Sequence, residues 1–313
     1  MSSSEFVIKT RALTRQFGGK VAVDHLDLTV KRGEVFGLLG HNGAGKTTTV
    51  RLLNGVLAAS SGSVRVFGLD PVERGDVVRR RTGVLTETPA LEERLTPREN
   101  LGIFADLYGV PIGEVKRRVD AALRTFDLAE VAASRVSTFS KGMKQRLAIA
   151  RATLHAPEVL YLDEPTSGLD PVSAKSVNDA IVRWSRDEGR TVLLCTHDLR
   201  DAERLCDRVA VLSRGKVVLS GVPAELSARY ETRRVEITVH PEDVQGALRA
   251  LARWNVEATG AANLAVEAGR VEVPAVLSVL LGASVRVYEV HPHAPTLEDV
   301  YFAVHGVREA VVA

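Results

Sequence analysis

The 313-residue chain has little of several features that mark particular protein classes. It contains two cysteines, Cys195 and Cys206, whose spacing fits neither a metal site nor a redox motif, and which suit a reducing compartment. Its charge is nearly balanced, with 41 Lys and Arg against 39 Asp and Glu. The short basic clusters lack interleaved aromatic residues. Composition therefore gives no reason to expect a nucleic-acid partner.

Long apolar runs are also missing. The longest nearly apolar run, residues 274–283, is far shorter than the roughly 20 residues that span a bilayer. The first five residues, MSSSE, have neither the basic nor the apolar region of an export signal. We therefore expect a soluble chain, long enough to bury an extensive core and to form two domains.

One stretch, residues 40–48, carries a specific chemical pattern. It reads GHNGAGKTT, which fits Gly-x4-Gly-Lys-[Ser/Thr], and it lies between an apolar run at 35–39 and a segment compatible with a helix at 47–56. Glycines let the backbone wrap an anion, and the following helix adds its positive end. The sequence therefore predicts a phosphate-binding loop. In such a loop Lys46 reaches the outer phosphates and Thr47 binds Mg²⁺.

The pattern of strands and helices predicts an α/β fold. Buried-strand runs at residues 159–162 and 191–195 alternate with helical segments, as in a parallel sheet that binds ligands at the carboxyl ends of its strands. A strand at residues 6–8 and an alternating strand at 26–31 predict an antiparallel part. A capping box followed by helical pattern predicts a helical insertion over about residues 97–136.

The composition shifts near residue 231. Beyond it we expect, in order, a strand at 235–239, a helix at 241–254, two weak strands within 256–273, a helix at 274–282 and a strand at 284–290. This order suggests a small α+β domain of the βαββαβ, ferredoxin-like kind. We thus expect two domains, residues 5–230 and 231–313.

Five motifs in order resemble those of the ATP-binding subunit of an ABC transporter, over about residues 5–230. They are the phosphate loop at 40–48, a signature-like FSKGM at 139–143, the Walker B end LYLDE at 160–164, the D-loop SGLD at 167–170 and the switch residue His197. The resemblance implies a P-loop NTPase of the ABC ATPase type. Its parallel-sheet core would carry an antiparallel β subdomain and a helical subdomain.

The resemblance also implies which residues hold the nucleotide and metal. Phe17 would stack on the adenine ring, and the loop would bind the phosphates. The residues implied in nucleotide binding are Phe17, Gly40, His41, Asn42, Gly43, Ala44, Gly45, Lys46, Thr47 and Thr48. The implied Mg²⁺ ligands are Thr47, Asp163 and Glu87.

Catalytic roles follow from the same resemblance. Glu164 would orient or deprotonate the attacking water, while His197 and Lys46 would stabilise the γ-phosphate. Ser140 and Gly142 open a helix and would cap the γ-phosphate held by a second copy, with Asp170 crossing the same interface. The partner that this implies is a second copy of the chain, in an ATP-sandwich homodimer.

Three positions depart from the family pattern. The common signature LSGGQ appears as FSKGM, so that Lys141 adds a cation near the facing phosphates. Glu87 stands where a glutamine is usual; a carboxylate can bind Mg²⁺ but repels the γ-phosphate when the metal is absent. Phe17 replaces a common tyrosine, which leaves stacking intact.

The segment at residues 295–302, PTLEDVYF, resembles the tail of daunorubicin-resistance export ATPases, which pair with a separately encoded membrane permease. It implies an exporter of drugs, antibiotics or other hydrophobic compounds, attached to the cytoplasmic face of the cell membrane. The alternative is a soluble ABC ATPase acting on ribosomes or DNA. The single cassette and the absence of sustained heptads argue against it.

Overall fold

The computed structural model describes residues 5–88, 90–229, 234–293 and 295–305. The chain divides into two compact units, residues 1–223 and 224–313. The domain boundary expected between residues 230 and 231 lies outside the described residues.

The first unit alternates strands and helices along most of its length. Its elements are β1 (Phe6–Phe17), β2 (Lys20–Leu26), β3 (Thr29–Lys31), β4 (Val35–Leu39), α1 (Lys46–Leu53), β5 (Ser61–Val66), α2 (Gly75–Arg80), β6 (Thr82–Leu85), α3 (Pro97–Leu107), α4 (Ile112–Thr125), α5 (Lys141–Thr153), β7 (Val159–Asp163), α6 (Pro171–Arg186), β8 (Thr191–Thr196), α7 (Leu199–Leu205), β9 (Arg208–Ser213) and β10 (Lys216–Gly221). Helix α8 (Pro223–Ala228) follows at the boundary.

A six-stranded sheet in the order β10-β9-β4-β8-β7-β6 forms the core of the first unit. Strands β4, β6, β7, β8 and β9 run parallel, and β10 closes one edge as a hairpin with β9. Every residue of β4, β7 and β8 is buried, because helices cover a parallel sheet on both faces. The predicted α/β class is confirmed, and the loops after these three strands share one edge of the sheet.

Strands β2, β1, β3 and β5 form an antiparallel sheet, in which β1 pairs with the other three. The chain breaks between β2 and β3, which the sequence pattern hides. The alternation over residues 26–31 predicted one strand, and this is wrong, because β2 ends at Leu26 and β3 begins at Thr29. The buried Thr10 hydroxyl donates to the Leu26 carbonyl at 2.7 Å and accepts from the Leu28 N–H at 2.8 Å. These bonds satisfy the backbone at the break. The two halves can then pair with different stretches of β1.

The helical insertion begins where its capping box predicts. The Thr96 hydroxyl accepts from the Glu99 N–H at 3.2 Å, and the Glu99 carboxylate accepts from the Thr96 N–H at 2.8 Å. Helices α3 and α4 form the insertion, and Ser140 opens α5, which returns the chain to the core.

The second unit contains a four-stranded antiparallel sheet in the order β12-β13-β11-β14. Its elements are β11 (Val235–Val239), α9 (Val244–Ala250), β12 (Val256–Ala258), β13 (Asn263–Val266), α10 (Val273–Gly282), β14 (Val287–Pro292) and α11 (Leu297–His305). Buried side chains of α9 and α10 share one apolar cluster with β11 and β13. The first strand lies between the third and the fourth, as in a ferredoxin-like βαββαβ arrangement.

We expect Thr10→Val to destabilise the protein by about 1–3 kcal/mol, because it leaves buried backbone groups at Leu26 and Leu28 without a partner. The free energy of unfolding in denaturant measures this. The matched control is Thr125→Val, at an exposed position of α4. Equal stability of the two variants would contradict the bridging role of the Thr10 hydroxyl.

Candidate functional site

The loop at residues 40–48 connects β4 to α1 in a conformation that requires glycine. Gly45 has a φ of 113°, and a Cβ there would lie 2.5 Å from the Ala22 carbonyl oxygen. At Gly40 a Cβ would lie 2.5 Å from the Leu212 carbonyl oxygen. The loop therefore packs directly on the backbone of neighbouring segments. The Ala44 N–H donates to the His41 carbonyl at 3.1 Å; a glycine-rich loop of this kind can present its other N–H groups to an anion.

Lys46 is buried at the start of α1, inside the curve of this loop. Its ammonium donates to the Gly40 carbonyl at 2.5 Å and lies 3.4 Å from the His41 carbonyl. It also lies 3.8 Å from Glu164 Oε1. A buried cation held by loop carbonyls and one carboxylate is well placed to meet an incoming phosphate.

Two oxygen ligands for a metal lie side by side next to Lys46. The Thr47 hydroxyl donates to Asp163 Oδ2 at 2.7 Å. Burial is the main cause that raises the pKa of Asp163; the Thr47 hydrogen bond and Lys46 oppose the rise, and the charges of Glu164 and Glu87 add to it. A cation bound here would relieve that excess of negative charge.

This ligand set fits Mg²⁺ in a nucleotide complex. The described part of the chain contains no cluster of three or more His, Cys, Asp or Glu side chains that could hold a metal unaided. Mg²⁺ keeps several waters and is commonly held by one or two protein oxygens together with phosphates. Thr47 and Asp163 supply that number.

The backbone at Glu164 is held in a left-handed conformation, with a φ of 50°. Its N–H donates to the Cys195 carbonyl at 2.9 Å, which ties the end of β7 to β8. The buried Gln145 amide donates to the carbonyls of Glu164 and Pro165 at 3.2 and 3.0 Å. Strain of this kind persists only where surrounding contacts fix it, and it clusters at functional sites.

The Glu164 carboxylate lies at the centre of a small polar network. Its Oε1 lies 2.8 Å from His197 Nδ1, and its Oε2 accepts from the Thr196 hydroxyl at 3.3 Å. Glu164 is only 9% exposed, whereas the His197 side chain is 65% exposed. Glu164 is therefore positioned from two sides, and His197 reaches from it towards solvent.

These groups line a cavity of about 390 Å³. The lining residues are Phe17, Lys20, Ala22, His41, Asn42, Gly43, Gly45, Lys46, Thr47, Thr48, Glu87, Asp163 and Glu164. Of the residues predicted to bind nucleotide, Gly40 and Ala44 do not line it: the Gly40 carbonyl holds Lys46, and Ala44 is fully buried. His197 does not line it either, although it contacts Glu164.

Phe17, at the tip of the β1–β2 hairpin, lines this cavity. It is 43% exposed, and the Arg15 guanidinium lies 4.5 Å from its ring centroid. Lys20, directly opposite Phe17 in the strand pairing, also lines the cavity. Sequence reasoning missed Lys20 and Gln145; the hairpin turn after Phe17 was the available signal for Lys20, and none marked Gln145.

The signature and D-loop residues lie elsewhere. Ser140 accepts from the Met143 N–H at 3.2 Å and so caps α5, one residue before Lys141 and two before Gly142. Asp170 caps α6; hydrogen bonds from the Ser173 hydroxyl and from backbone N–H groups lower its pKa. None of Ser140, Gly142 and Asp170 lines the cavity.

The signature and the D-loop contact each other within the chain. A Cβ on Gly168, whose φ is 74°, would lie 2.7 Å from Lys141 Cε. One on Gly142 would lie 3.5 Å from Leu169 Cδ2. The Lys141 stem thus lies across the D-loop, and the two segments form one surface.

Comparison with known proteins agrees with this site. A family model described as ABC transporter matches residues 23–167. The bacitracin transport ATP-binding protein BcrA of Bacillus licheniformis is 41% identical over 212 residues, 68% of each chain. The daunorubicin resistance ATP-binding protein DrrA3 of Streptomyces coeruleorubidus is 38% identical over 296 residues, 93% of each chain. The chain belongs to the ATP-binding proteins of ABC transporters.

The solved structures agree with this assignment. The dimeric bacterial ABC transporter cassette MJ0796 has a TM-score of 0.64 and 26% identity, covering 69% of this chain and 98% of that one. This ABC protein therefore binds ATP and is an ATPase coupled to transport. ABC ATPase domains form dimers and work with membrane permeases. In the described ranges, none of the helices has the length and apolar character needed to cross a bilayer.

We expect Gly45→Ala to lower the affinity for ATP by about tenfold or more, because the new Cβ collides with the Ala22 carbonyl at a φ that alanine disfavours. Nucleotide titration by calorimetry measures this. Gly102→Ala in α3, where a Cβ meets nothing within 4 Å, is the matched control. Unchanged affinity in Gly45→Ala would contradict the rigid cradle.

Proposed function

We propose that this ABC protein energises the export of drugs, antibiotics or other hydrophobic compounds. Two copies would close on two Mg-ATP, and a separately encoded permease would carry the cargo. Relatives named for bacitracin transport and daunorubicin resistance support the cargo class. The single observation that carries the ATP-driven part of the proposal is the meeting of Lys46, Thr47, Asp163 and Glu164 at one cavity.

The cavity supports a defined orientation of ATP. Phe17 on the cavity lining offers a ring for adenine, and Lys46 with the loop N–H groups receives the phosphates. Glu87 and Asp163 lie on the same lining, so that Glu87 would help Thr47 and Asp163 to hold Mg²⁺, directly or through water. The ion, when bound, neutralises charge on the transferring phosphoryl group.

Glu164 acts on the attacking water. Held by Thr196 and His197, its carboxylate is fixed beside Lys46, where it orients the water or accepts its proton. His197, exposed and in contact with Glu164, stabilises the charge that develops at the γ-phosphate. These roles use groups that the fold already holds in place, as phosphoryl transfer requires.

The second half of the site comes from another copy. Ser140, Gly142 and Asp170 do not line their own chain's cavity. The first turn of α5 holds no acidic residue and includes Lys141, a cation that is unfavourable at the positive end of a helix unless an anion approaches; Lys144 already pairs with Glu93. The γ-phosphate in a facing copy supplies that anion. The dimeric cassette to which the chain is similar supports this arrangement.

Coupling to the membrane runs through the helical insertion and the loop that carries Glu87. This loop joins β6 to the insertion, so a change at the metal reaches α3 and α4 through a short connection. The closed dimer binds ATP more tightly than the separated copies do, and this difference in binding free energy drives closure. The protein would act at the cytoplasmic face of the cell membrane, bound to its permease.

We expect Glu87→Gln to weaken the dependence of ATP binding and hydrolysis on Mg²⁺. Removing this carboxylate removes like-charge repulsion from the γ-phosphate, so affinity for ATP in the presence of a chelator should rise by about five- to tenfold. Nucleotide titrations with and without Mg²⁺ measure this. Glu73→Gln, an equal charge change at an exposed position outside the cavity lining, is the control. An unchanged Mg²⁺ dependence in Glu87→Gln would refute the metal role.

We expect Glu164→Gln to retain ATP and to accumulate as a dimer, because the amide keeps the shape of the side chain but cannot accept the proton of water. Lys46→Ala should instead lose affinity for ATP. Size-exclusion chromatography with Mg-ATP distinguishes the two variants. A Glu164→Gln protein that binds ATP but stays monomeric would count against the sandwich.

A further inference from the structure

A second cavity, of about 670 Å³, lies in the first unit between the helical insertion and the core. Helix α4 forms one wall, and the ends of α5 and α6 with the segment before β8 form the other. It shares no lining residue with the nucleotide cavity. Nothing in the proposed ATPase mechanism uses it.

Arginine dominates the charge of this second cavity. The arginines that line it are Arg117, Arg118, Arg183 and Arg190. Arg117 and Arg118 share a single carboxylate, that of Glu114, at 3.4 and 2.7 Å. Arg190 pairs with Glu188, and Arg183 forms no ion pair within the described ranges. Four guanidinium groups therefore form ion pairs with only two carboxylates; Arg183 lies near a third, Asp179, which itself pairs with Lys175.

Arg190 adds an unsatisfied hydrogen-bond donor. Its Nη2 lies 2.5 Å from Glu188, but its Nη1 is buried and has no hydrogen-bond partner in the described part of the chain. Arg190 also acts on the neighbouring His155: burial chiefly, and then the positive charges of Arg190 and Arg118, lower the pKa of His155 to about 4. A buried donor without an acceptor costs free energy, which a bound anion would recover.

The remaining wall is apolar and aromatic. Phe126 and Trp184 pack with their ring centroids 6.4 Å apart, beside Ala122 and Leu154. Cavities of 300–1,000 Å³ that combine an apolar wall with a few converging polar groups are typical small-molecule sites. The lining therefore fits a ligand with an apolar body and a strongly anionic group.

We propose that this cavity binds a small phosphate monoester with an apolar or aromatic body. The excess of guanidinium groups over the carboxylates paired with them suits a dianion, and guanidinium forks suit phosphate oxygens. Because α4 belongs to the helical insertion and α6 to the core, a bound ligand braces one against the other. The cavity is then a regulatory site for the movement of the insertion, separate from the ATP site.

Phenyl phosphate tests this proposal, with Trp184 as the reporter. The chain has two tryptophans, Trp184 and Trp254. In the Trp254→Phe variant, all tryptophan fluorescence therefore comes from Trp184. We expect phenyl phosphate to change that emission saturably, with a dissociation constant in the millimolar range or below. Phenol, which lacks the charge, and inorganic phosphate, which lacks the ring, should bind at least about tenfold more weakly.

Charge-matched variants locate the binding. In the Trp254→Phe background, the double variant Arg117→Gln/Arg183→Gln should bind phenyl phosphate about tenfold more weakly or worse, because it loses two guanidinium groups of the lining. Both arginines are exposed, so their loss leaves the fold intact. Arg249→Gln with Arg270→Gln, in the second unit, should leave it unchanged. Absence of saturable binding, or equal binding by the two double variants, would overturn the proposal. The affinity of the Arg117/Arg183 double variant for ATP should equal that of the parent protein. A failure of the proposed phosphate-monoester site can thus be told apart from a failure of the proposed ATPase site.

Discussion

The parallel pairing of β4, β7 and β8 is the constraint on which the rest of the nucleotide site depends. Leu39 pairs with Thr196, and Asp163 pairs with Cys195, so the three strands end at nearly the same level. The loop after each strand therefore starts within reach of the other two. This common level brings Lys46 within 3.8 Å of Glu164, although 118 positions separate them in the chain (164 minus 46).

Electrostatics then explain why the carboxylate-lined part of the nucleotide cavity favours a cation accompanied by phosphate. Asp163, Glu164 and Glu87 converge there, and burial makes the ionised form of Asp163 costly. Lys46 and the Thr47 hydroxyl offset part of that cost through direct contact. The arginine-lined cavity between α4 and α6 has the opposite imbalance, an excess of donors over acceptors. The two cavities therefore differ in the charge of the ligand that each would take up.

A feature of the fold or of the site could be predicted from the sequence when the residues that form it lie close together in the chain. The phosphate loop, the acidic pair after β7 and the cap at Thr96 are set by residues close together in the chain. The local pattern predicted the loop and the cap, and the family resemblance implied the acidic pair. The break at Leu28 could not be predicted, because it depends on the hydroxyl of Thr10, 18 positions away. Helix α2 has six residues, too few for a helical period to stand out.

The second cavity was hidden for the same reason as the break. Its arginines come from α4, α6 and the segment before β8, and only the packed fold brings them together. Gln145 was equally hidden, since its function depends on carbonyl groups of the segment after β7. Side chains that act on a distant backbone leave no periodic or spaced pattern.

The strand order of the second unit bears on how the chain is made. Its first strand, β11, sits between β13 and β14, which a ribosome delivers later. Until β14 emerges, one edge of β11 remains open to any other extended segment. The first unit, complete by then, can fold while synthesis continues, but this small sheet must wait until β14 has been made. The growing chain is thus most exposed to mispairing between the emergence of β11 and that of β14.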